Sequence, residues 1–244
     1  MDTDKRGIVI MGATSGMGRE VARLFALRGW RVGAAGRRVE LLESLRDECP
    51  DGSVVISQID VTAPEASARL EALAQKVSAT VYLHCSGVGY RNEELDPEPE
   101  LRTLRTNGEG FVRAVGTMFR YFAHSGGGRI AVISSIAGTK GLGPAPAYSA
   151  TKRMQNTYID ALDQLARKHR LPIRFTDIRP GFVATDLIGG GAGYPMVMPL
   201  HTTAVRIVRA VELGRRVKVI DRRYALLTAL WSLIPRPLWV RMRI

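Results

Sequence analysis

Two residues that could share a proton lie four positions apart in the second half of the chain. Tyr148 and Lys152 occur in the segment Tyr148-Ser149-Ala150-Thr151-Lys152, and a helix would place both side chains on one face, one turn apart. A phenol has an unperturbed pKa of about 10, so it needs a neighbouring positive charge to act as an acid or base near neutral pH. Such pairs also occur by chance in many helices, where they have no chemical role.

A serine pair precedes this segment. Ser134-Ser135 follows an apolar run that is typical of a buried strand, and a hydroxyl at the end of that strand would face the same crevice as Tyr148. The histidines are scattered along the chain, so we assign them no chemistry and predict no metal site. They are His84, His124, His169 and His201.

A glycine-rich segment near the amino terminus is typical of a phosphate-binding turn. The apolar run over residues 7–11 leads into Gly12-Ala13-Thr14-Ser15-Gly16-Met17-Gly18, a G-x-x-x-G-x-G variant of the dinucleotide fingerprint. Glycines permit a tight turn and let the backbone approach a pyrophosphate at the positive end of the following helix. The alternative is a glycine-rich connection that binds nothing. The predicted cofactor contacts here are Gly12, Thr14, Ser15, Gly16, Met17 and Gly18.

The end of the second predicted strand discriminates between the two nicotinamide dinucleotides. A carboxylate there would bind the adenosine ribose 2′-OH and repel a 2′-phosphate, but the chain has Ala35-Gly36-Arg37-Arg38. Guanidinium groups match phosphate oxygens in geometry. Arg37 and Arg38 therefore predict NADP(H) over NAD(H), unless they only begin a solvated helix. At the end of the third strand, Asp60 could accept a hydrogen bond from the adenine amino group, and Val61 could donate one or pack there.

Strand-like and helix-like segments alternate along the chain. Predicted strands cover Gly7–Met11, Trp30–Ala35, Val54–Ile59, Val81–Cys85, Arg129–Ser134, Ile173–Ile178 and Val217–Ile220. Predicted helices cover Glu20–Arg28, Val39–Glu48, Pro64–Val77, Leu101–His124 with glycine interruptions, Ala147–Lys168 and Val205–Leu213. Repeated βα units indicate an α/β fold, a single doubly wound Rossmann-type domain with a parallel sheet of about seven strands and helices on both faces. Ligands bind such sheets beyond the carboxyl ends of the strands, where these motifs lie.

Composition agrees with one large globular unit. The chain has 244 residues, 45% of them hydrophobic, and its two cysteines are Cys49 and Cys85. This composition excludes a disordered chain, a disulfide scaffold and a four-thiolate zinc site. The first residues lack a signal-peptide pattern, and no apolar stretch reaches about 20 residues. We therefore expect a cytoplasmic protein.

The net charge of +12 is concentrated towards the carboxyl terminus, where ten basic and two acidic residues lie between positions 205 and 244. We divide the chain into a nucleotide-binding catalytic domain over residues 1–221 and a basic, amphipathic tail with Trp231 and Trp239 over residues 222–244. The tail could lie peripherally on an anionic membrane surface, or pack over the substrate mouth or a partner subunit. No nucleic acid is expected as a partner, because the charge is not spread along a groove-facing element.

Taken together, the motifs resemble the short-chain dehydrogenase/reductase family over about the first 190 residues. The shared features are the glycine turn, Asn107, Ile133-Ser134-Ser135-Ile136-Ala137-Gly138, Tyr148-Ser149-Ala150-Thr151-Lys152 and Pro180-Gly181-Phe182-Val183-Ala184-Thr185. The resemblance implies that Tyr148 exchanges a proton with the substrate oxygen, which Ser135 holds. It implies that Lys152 lowers the pKa of the tyrosine and binds the nicotinamide ribose.

The resemblance implies further contacts. Asn107 would anchor a proton-relay water next to Lys152, unless it merely kinks a helix. Val183 and Thr185 would hold the carboxamide, while Ser15 and an arginine would meet the 2′-phosphate. The remaining predicted cofactor contacts are Ser86, Gly87, Tyr148, Pro180 and Gly181. The helices Leu101–His124 and Ala147–Lys168 resemble those through which the family dimerises, which implies a homodimer or homotetramer.

One motif departs from the family pattern. After the fourth strand the family has Asn-Asn-Ala-Gly or Asn-Cys-Ala-Gly, whereas this chain has His84-Cys85-Ser86-Gly87. The small Ser86 and Gly87 still let the backbone approach the adenosine ribose. We expect this change to alter the contacts between that strand and its neighbours, and with them the cofactor affinity.

The expected substrate loop covers residues 186–201 and combines a glycine run with apolar side chains, which favours a hydrophobic carbonyl compound and a mobile lid. The leading hypothesis is an NADP(H)-dependent oxidoreductase, a ketone or aldehyde reductase or the reverse alcohol dehydrogenase. One alternative is a non-catalytic NADP(H)-binding sensor or scaffold, which would not need Ser135, Tyr148, Lys152 and Asn107. Another is a basic interaction protein whose tail binds nucleic acid or lipid.

Overall fold

The structure, a computed structural model, describes residues 6–191 and 193–242. Arg243 and Ile244 of the expected tail and position 192 of the expected substrate loop lie outside the described residues. The strands are β1 (Gly7–Met11), β2 (Arg31–Gly36), β3 (Val54–Gln58), β4 (Ala79–His84), β5 (Gly128–Ile133), β6 (Ile173–Arg179) and β7 (Val217–Val219). They form one parallel sheet in the order β3-β2-β1-β4-β5-β6-β7, so the prediction of a seven-stranded, doubly wound Rossmann-type domain is confirmed.

Helices cover both faces of the sheet. They are α1 (Gly16–Leu27), α2 (Val39–Asp47), α3 (Ala66–Lys76), α4 (Pro97–Leu104), α5 (Phe111–His124), α6 (Pro146–Lys168), α7 (Leu200–Leu213), α8 (Arg222–Leu233) and α9 (Arg236–Trp239). α1, α2 and α7 contribute to one buried apolar cluster, and α3, α5 and α6 contribute to the other.

The first strand shows why two separate cores form. All five residues of β1 are buried. Because successive side chains of a strand point to opposite faces, Ile8 and Ile10 enter the cluster with α1 and α7, whereas Val9 and Met11 enter the cluster with α3 and α5. A continuous apolar run is therefore required, since both faces of the parallel sheet are covered.

The strand order reverses beside β1, which pairs with β2 on one side and with β4 on the other. At such a reversal the connections leave the sheet in opposite directions and open a crevice beyond the carboxyl ends of the strands. The glycine turn after β1, the arginines after β2 and Ser86 after β4 all line that crevice.

The predicted helix Leu101–His124 is interrupted at its glycines, as the sequence indicated, but it begins earlier than predicted. α4 already begins at Pro97, where the Asp96 carboxylate caps the helix by accepting a hydrogen bond from Glu98 N at 3.1 Å. A π-helical turn over Arg105–Gly110 separates α4 from α5. At the end of this turn, a Cβ on Gly110 would lie 2.6 Å from Val61 Cγ2. This close approach to the loop after β3 is a tertiary contact that helical periodicity does not report.

The tail folds as two helices, α8 and α9. Tyr224 and Thr228 of α8 are buried against the body of the protein. Leu226, Leu230 and Leu233 are instead exposed, by 54% or more of their surface. Among the described residues, no helix combines the length and the apolar character needed to cross a bilayer.

Candidate active site

Tyr148 and Ser135 lie on neighbouring elements at the carboxyl edge of the sheet. Ser135 follows β5, and its hydroxyl accepts a hydrogen bond from Ala137 N at 3.1 Å, which begins a short 3₁₀ turn. Tyr148 is half-buried in the first turn of α6. Burial raises the pKa of the Tyr148 phenol above its usual value, and the Ser135 hydroxyl opposes part of this shift. The phenol is therefore protonated at neutral pH and able to donate a proton.

The Lys152 ammonium lies next to the Tyr148 ring, as the four-residue spacing predicted. Its Nζ is 5.7 Å from the ring centroid and donates a hydrogen bond to the Ile133 carbonyl at 3.0 Å. The residue is only 5% exposed, and this burial lowers the pKa of Lys152 to about 8. The side chain is thus mostly charged at pH 7, and its charge would stabilise a phenolate on Tyr148.

The π-helical turn aims Asn107 at the loop that follows β4. Its Oδ1 accepts a hydrogen bond from Val88 N at 2.8 Å, and its Nδ2 donates one to Val88 O at 2.7 Å. The backbone carbonyl of Asn107 accepts a hydrogen bond from Gln155 Nε2 at 2.9 Å. Sequence reasoning missed Gln155, although its position three residues after Lys152 places both side chains on one face of the helix.

A buried network supports the serine pair and α6. The Asp177 carboxylate on β6 accepts hydrogen bonds from Ser134 Oγ, from Asn156 Nδ2 at 2.9 Å and from Arg179 Nε at 2.6 Å. Ser134 therefore has a structural contact in this network. Sequence reasoning missed Asp177 and Asn156. The signal for Asp177 was an acidic residue at a buried position of a strand.

The glycine turn needs its glycines for steric reasons. Gly12 has a φ of +92°, and a Cβ there would lie 2.7 Å from Ser86 N. A Cβ on Gly18 would lie 2.1 Å from the Gly12 carbonyl oxygen. The turn and the first residues of α1 therefore pack backbone against backbone, which leaves the amino end of α1 bordering the cleft.

Arg38 spans the gap between the glycine turn and the end of β2. Its Nη2 donates hydrogen bonds to Thr14 Oγ1 and to Ser15 Oγ, both at 2.8 Å. The neighbouring Arg37 is exposed, and its carbonyl accepts a hydrogen bond from Gln58 Nε2 at 2.9 Å. One guanidinium and two hydroxyls thus converge where a 2′-phosphate was predicted.

Asp60 closes the third strand in a tight local turn. Its Oδ1 accepts hydrogen bonds from Thr62 N at 2.9 Å and from Thr62 Oγ1 at 2.7 Å. Burial acts to raise the pKa of Asp60, but the Thr62 hydrogen bonds and the Arg37 charge lower it overall. The carboxylate is therefore charged at neutral pH, with one oxygen engaged by Thr62.

Most of the predicted cofactor residues line one cleft. They are Gly12, Thr14, Ser15, Gly16, Met17, Gly18, Arg37, Arg38, Asp60, Val61, Ser86, Gly87 and Thr185. A Cβ on Gly87 would lie 3.7 Å from Lys152 Nζ, so the cleft passes directly beside the ammonium group. The dinucleotide motif and the Tyr148–Lys152 pair thus belong to one site.

The other residues of the proline-glycine turn have internal contacts. Pro180 O accepts a hydrogen bond from Ile136 N at 3.1 Å, and a Cβ on Gly181 would lie 2.2 Å from the Tyr224 ring. Val183 is 4% exposed and forms a bridge with Met198. These three predicted cofactor residues shape the wall behind Thr185 rather than lining the cleft described above.

His84, at the departure from the family motif, is part of the core. It is 1% exposed, and its Nδ1 lies 2.8 Å from the Tyr82 hydroxyl. Its ring packs edge-on against Phe111 at 5.2 Å. Burial lowers the pKa of His84 to about 3, so the imidazole is neutral and adds no charge near Lys152.

The tail is tied to both segments that flank the site. The Tyr224 hydroxyl lies 2.9 Å from the Pro195 carbonyl oxygen in the expected substrate loop. Trp239 Nε1 donates a hydrogen bond to Gly141 O at 2.8 Å, and Lys140 Nζ donates one to Ile234 O at 2.8 Å. Lys140 and Gly141 lie between Ser135 and Tyr148 in the chain, so the tail braces the loop that connects them.

Comparisons with known protein sequences find related proteins over most of the chain. A family model described as short chain dehydrogenase matches residues 6–190. An uncharacterized oxidoreductase of Myxococcus xanthus is 29% identical over 241 residues, which cover 96% of this chain and 94% of that protein. Dehydrogenase/reductase SDR family member 7B of Bos taurus is 31% identical over 192 residues, covering 74% of this chain and 58% of that protein.

Solved structures share the fold. A short chain dehydrogenase from Burkholderia cenocepacia in complex with NADP has a TM-score of 0.81 and 18% identity, with 100% of both chains covered. An alcohol dehydrogenase from the archaeon Thermococcus sibiricus, complexed with 5-hydroxy-NADP, has a TM-score of 0.71 and 24% identity over 89% of this chain and 95% of that chain. At these identities the likeness shows the fold.

Proposed function

Because this chain belongs to the short chain dehydrogenase family, we propose that it is an NADPH-dependent reductase of ketones or aldehydes that also acts in reverse as an alcohol dehydrogenase. The general class, an oxidoreductase, follows from family membership. The observation that carries the proposed chemistry is the Lys152 ammonium 5.7 Å from the Tyr148 ring centroid, beside the cleft of the glycine turn.

The residues of the cleft fit a nicotinamide dinucleotide. The close backbone approach at Gly12 forms a cradle that a Cβ would fill. The amino end of α1 adds N–H donors and a positive dipole for a pyrophosphate. When bound, the dinucleotide supplies or accepts the hydride, and the proton is handled by side chains of the protein.

Tyr148 is the proposed general acid of the reduction. Its phenol donates a proton to the substrate oxygen, and the Lys152 charge stabilises the phenolate that remains. Ser135, whose hydroxyl opposes part of the rise in the Tyr148 pKa, holds the same substrate oxygen. In the oxidation direction the phenolate takes the hydroxyl proton. Asn107 acts indirectly, since its side chain positions the Val88 loop.

We assign the preference for NADP(H) over NAD(H) to Arg38, with a smaller contribution from Arg37. Arg38 already donates to the Thr14 and Ser15 hydroxyls at 2.8 Å, and all three groups can bind phosphate oxygens. Ala35 and Gly36 end β2 without a carboxylate that would bind a ribose 2′-OH.

An apolar carbonyl compound is the proposed substrate class. Leu187 lines the cleft, and it is 46% exposed, so it offers apolar surface to a bound molecule. Tyr194 packs on Phe182 with a centroid distance of 4.6 Å, which gives the loop a second apolar element. For the tail we propose the packing role, which its contacts with Gly141 and Pro195 support.

A homodimer or homotetramer is the proposed assembly, formed through α4, α5 and α6. Leu101, Leu104, Val112 and Leu165 expose 38–47% of their surface on these helices. Apolar side chains on three neighbouring helices suit burial against a second copy of the chain. Sedimentation-velocity measurement of the mass would test this assignment.

The direct test is NADPH oxidation with a panel of apolar ketones and aldehydes. Tyr148→Phe should lower kcat about 10²–10⁴-fold, the usual contribution of general acid–base catalysis, with the NADPH Kd unchanged within about twofold. Tyr158→Phe, on the same helix, is the matched control, because its ring packs on Phe111 away from the site. Retained turnover in the Tyr148 variant would refute the assignment. NADPH binding without turnover by wild-type protein on the whole panel would favour the sensor alternative.

A further inference from the structure

Gln155 is a wholly buried amide that the proposed mechanism leaves without a role. It lies on α6 and is 0% exposed. Its Oε1 accepts a hydrogen bond from Lys152 Nζ at 3.2 Å, and its Nε2 donates one to the Asn107 carbonyl at 2.9 Å. The orientation of the amide follows from its partners, because an ammonium only donates and a carbonyl only accepts.

We propose that Gln155 is a positioning residue that holds the Lys152 ammonium at the cleft by linking it to the π-helical turn through the Asn107 carbonyl. This inference rests on the proposed function, in which Lys152 acts on Tyr148. It also differs from the expectation that a water lies between Asn107 and Lys152, because the Gln155 side chain contacts both the Asn107 carbonyl and the Lys152 ammonium.

The three N–H groups of the Lys152 ammonium show how the contact with Gln155 orients this side chain. An ammonium has three N–H groups. One points to the Ile133 carbonyl and one to Gln155 Oε1, so the third is free to face the cleft beside Gly87. Two fixed acceptors on opposite elements, β5 and α6, thus set the direction of the remaining donor.

The charged and titratable groups around Lys152 show why the Gln155 amide oxygen is important for the charged form of this lysine. Tyr148 lies on the same helix, and His84 and Cys85 lie at the end of β4. Burial lowers the pKa of His84 to about 3 and raises the pKa of Cys85 to about 12. Both side chains are therefore neutral at pH 7. Asp177 on β6 favours the charged form of Lys152, but it also binds Arg179 at 2.6 Å. The Gln155 oxygen therefore supplies a direct, neutral contact that stabilises the ammonium.

The π-helical turn provides the other end of the link. Asn107 is 0% exposed, and its side chain is engaged by the Val88 backbone and by Thr151 Oγ1, to which Nδ2 donates at 3.3 Å. Its backbone carbonyl is left for Gln155 Nε2. A change in Gln155 would therefore act on Lys152 from one side and on the turn from the other, without touching substrate or cofactor.

The test measures the Lys152 titration directly. Protein labelled with ¹³C at lysine Cε gives one NMR signal for each of its six lysines, Lys5, Lys76, Lys140, Lys152, Lys168 and Lys218, and loss of a signal in Lys152→Met assigns it. Gln155→Leu removes the acceptor and keeps a similar side-chain volume. The Lys152 pKa should then fall by about one unit, because the free energy of a hydrogen bond to a charged group corresponds to a pKa shift of about that size. In Gln155→Glu, a carboxylate in the same place should raise it by about one unit.

The pH dependence of turnover should follow the NMR result. Because the charged Lys152 is the active form, the alkaline limb of kcat should move down in Gln155→Leu and up in Gln155→Glu. Gln164→Leu and Gln164→Glu are matched controls: Gln164 is exposed on the same helix, 12 residues or about 18 Å beyond Lys152. Both controls should leave the Lys152 titration and the pH profile unchanged.

The outcomes separate the two proposals. Lys152 titrations that coincide in wild type and both Gln155 variants would overturn the positioning role, even if kcat fell equally at every pH. If Gln155→Leu does not fold, Gln155→Glu decides alone. Shifted titrations in a protein with no NADPH-dependent turnover would overturn the proposed function and leave the Lys152–Gln155 coupling standing.

Discussion

Replacing Arg38 with alanine should separate the two coenzymes. The Arg38 guanidinium now donates to the Thr14 and Ser15 hydroxyls at 2.8 Å, so it is already oriented toward the proposed 2′-phosphate site. A charge-assisted hydrogen bond to a phosphate is worth about 1.5–3 kcal/mol, and Arg38 is exposed to solvent, which favours the lower end of that range. Loss of about 1.5–2 kcal/mol corresponds to a roughly ten- to thirtyfold weaker NADPH complex.

Isothermal titration calorimetry with NADPH and NADH would measure the effect. Arg38→Ala should weaken NADPH by that factor and leave NADH within about twofold, because NADH has no phosphate at this position. Arg37→Ala should have a smaller effect on NADPH. The NADPH affinity of wild type should also fall more steeply with salt than that of the Arg38 variant.

Arg46→Ala is the matched control. Arg46 is an exposed arginine on α2 that pairs with Asp47 at 3.0 Å, so its removal changes the net charge equally without touching the cleft. Equal losses for NADPH and NADH in Arg38→Ala would refute the phosphate assignment. An unchanged NADPH Kd would show that Arg38 only binds the two hydroxyls.

Two further predictions concern stability. Asp177→Asn should lower the free energy of unfolding in urea by about 2–3 kcal/mol, because it weakens the charge-assisted hydrogen bonds to Ser134, Asn156 and Arg179. An unchanged urea midpoint would show that this network does not contribute to stability. Tyr224→Ala should cost about 3–5 kcal/mol by emptying the space against Gly181, whereas Tyr224→Phe should cost about 1 kcal/mol for the lost hydroxyl contacts. Equal midpoints for wild type and Tyr224→Ala would contradict the packing of the tail on the body.

The fold could be predicted from local patterns because the strands of a parallel sheet are buried on both faces. A run such as Gly7–Met11 must then be apolar throughout, and the amphipathic helices between such runs leave few possible topologies. Helix boundaries were less predictable. The π-helical turn after Leu104 depends on how closely Gly110 approaches Val61, a contact between residues far apart in the chain.

Some features of the candidate site could likewise be predicted from local sequence patterns, and others could not. The four-residue spacing of Tyr148 and Lys152 and the glycine turn are local features, so the chemistry proposed for them could be predicted from the sequence. Gln155 and Asp177 were missed because their partners are distant. Gln155 binds Asn107 across 48 positions, and Asp177 binds Ser134 across 43.

By itself, the sequence determined the periodicity of strands and helices, the turn that only glycines can form, and the absence of an acidic residue at the end of the second strand. Tertiary structure alone decided which carbonyl the buried Gln155 would reach, which strand would carry the carboxylate beneath Ser134, and where the tail would rest. The physical reason is range: dihedral preferences and side-chain periodicity act within a few residues, whereas the partners of a buried polar group are chosen by packing after the sheet has formed.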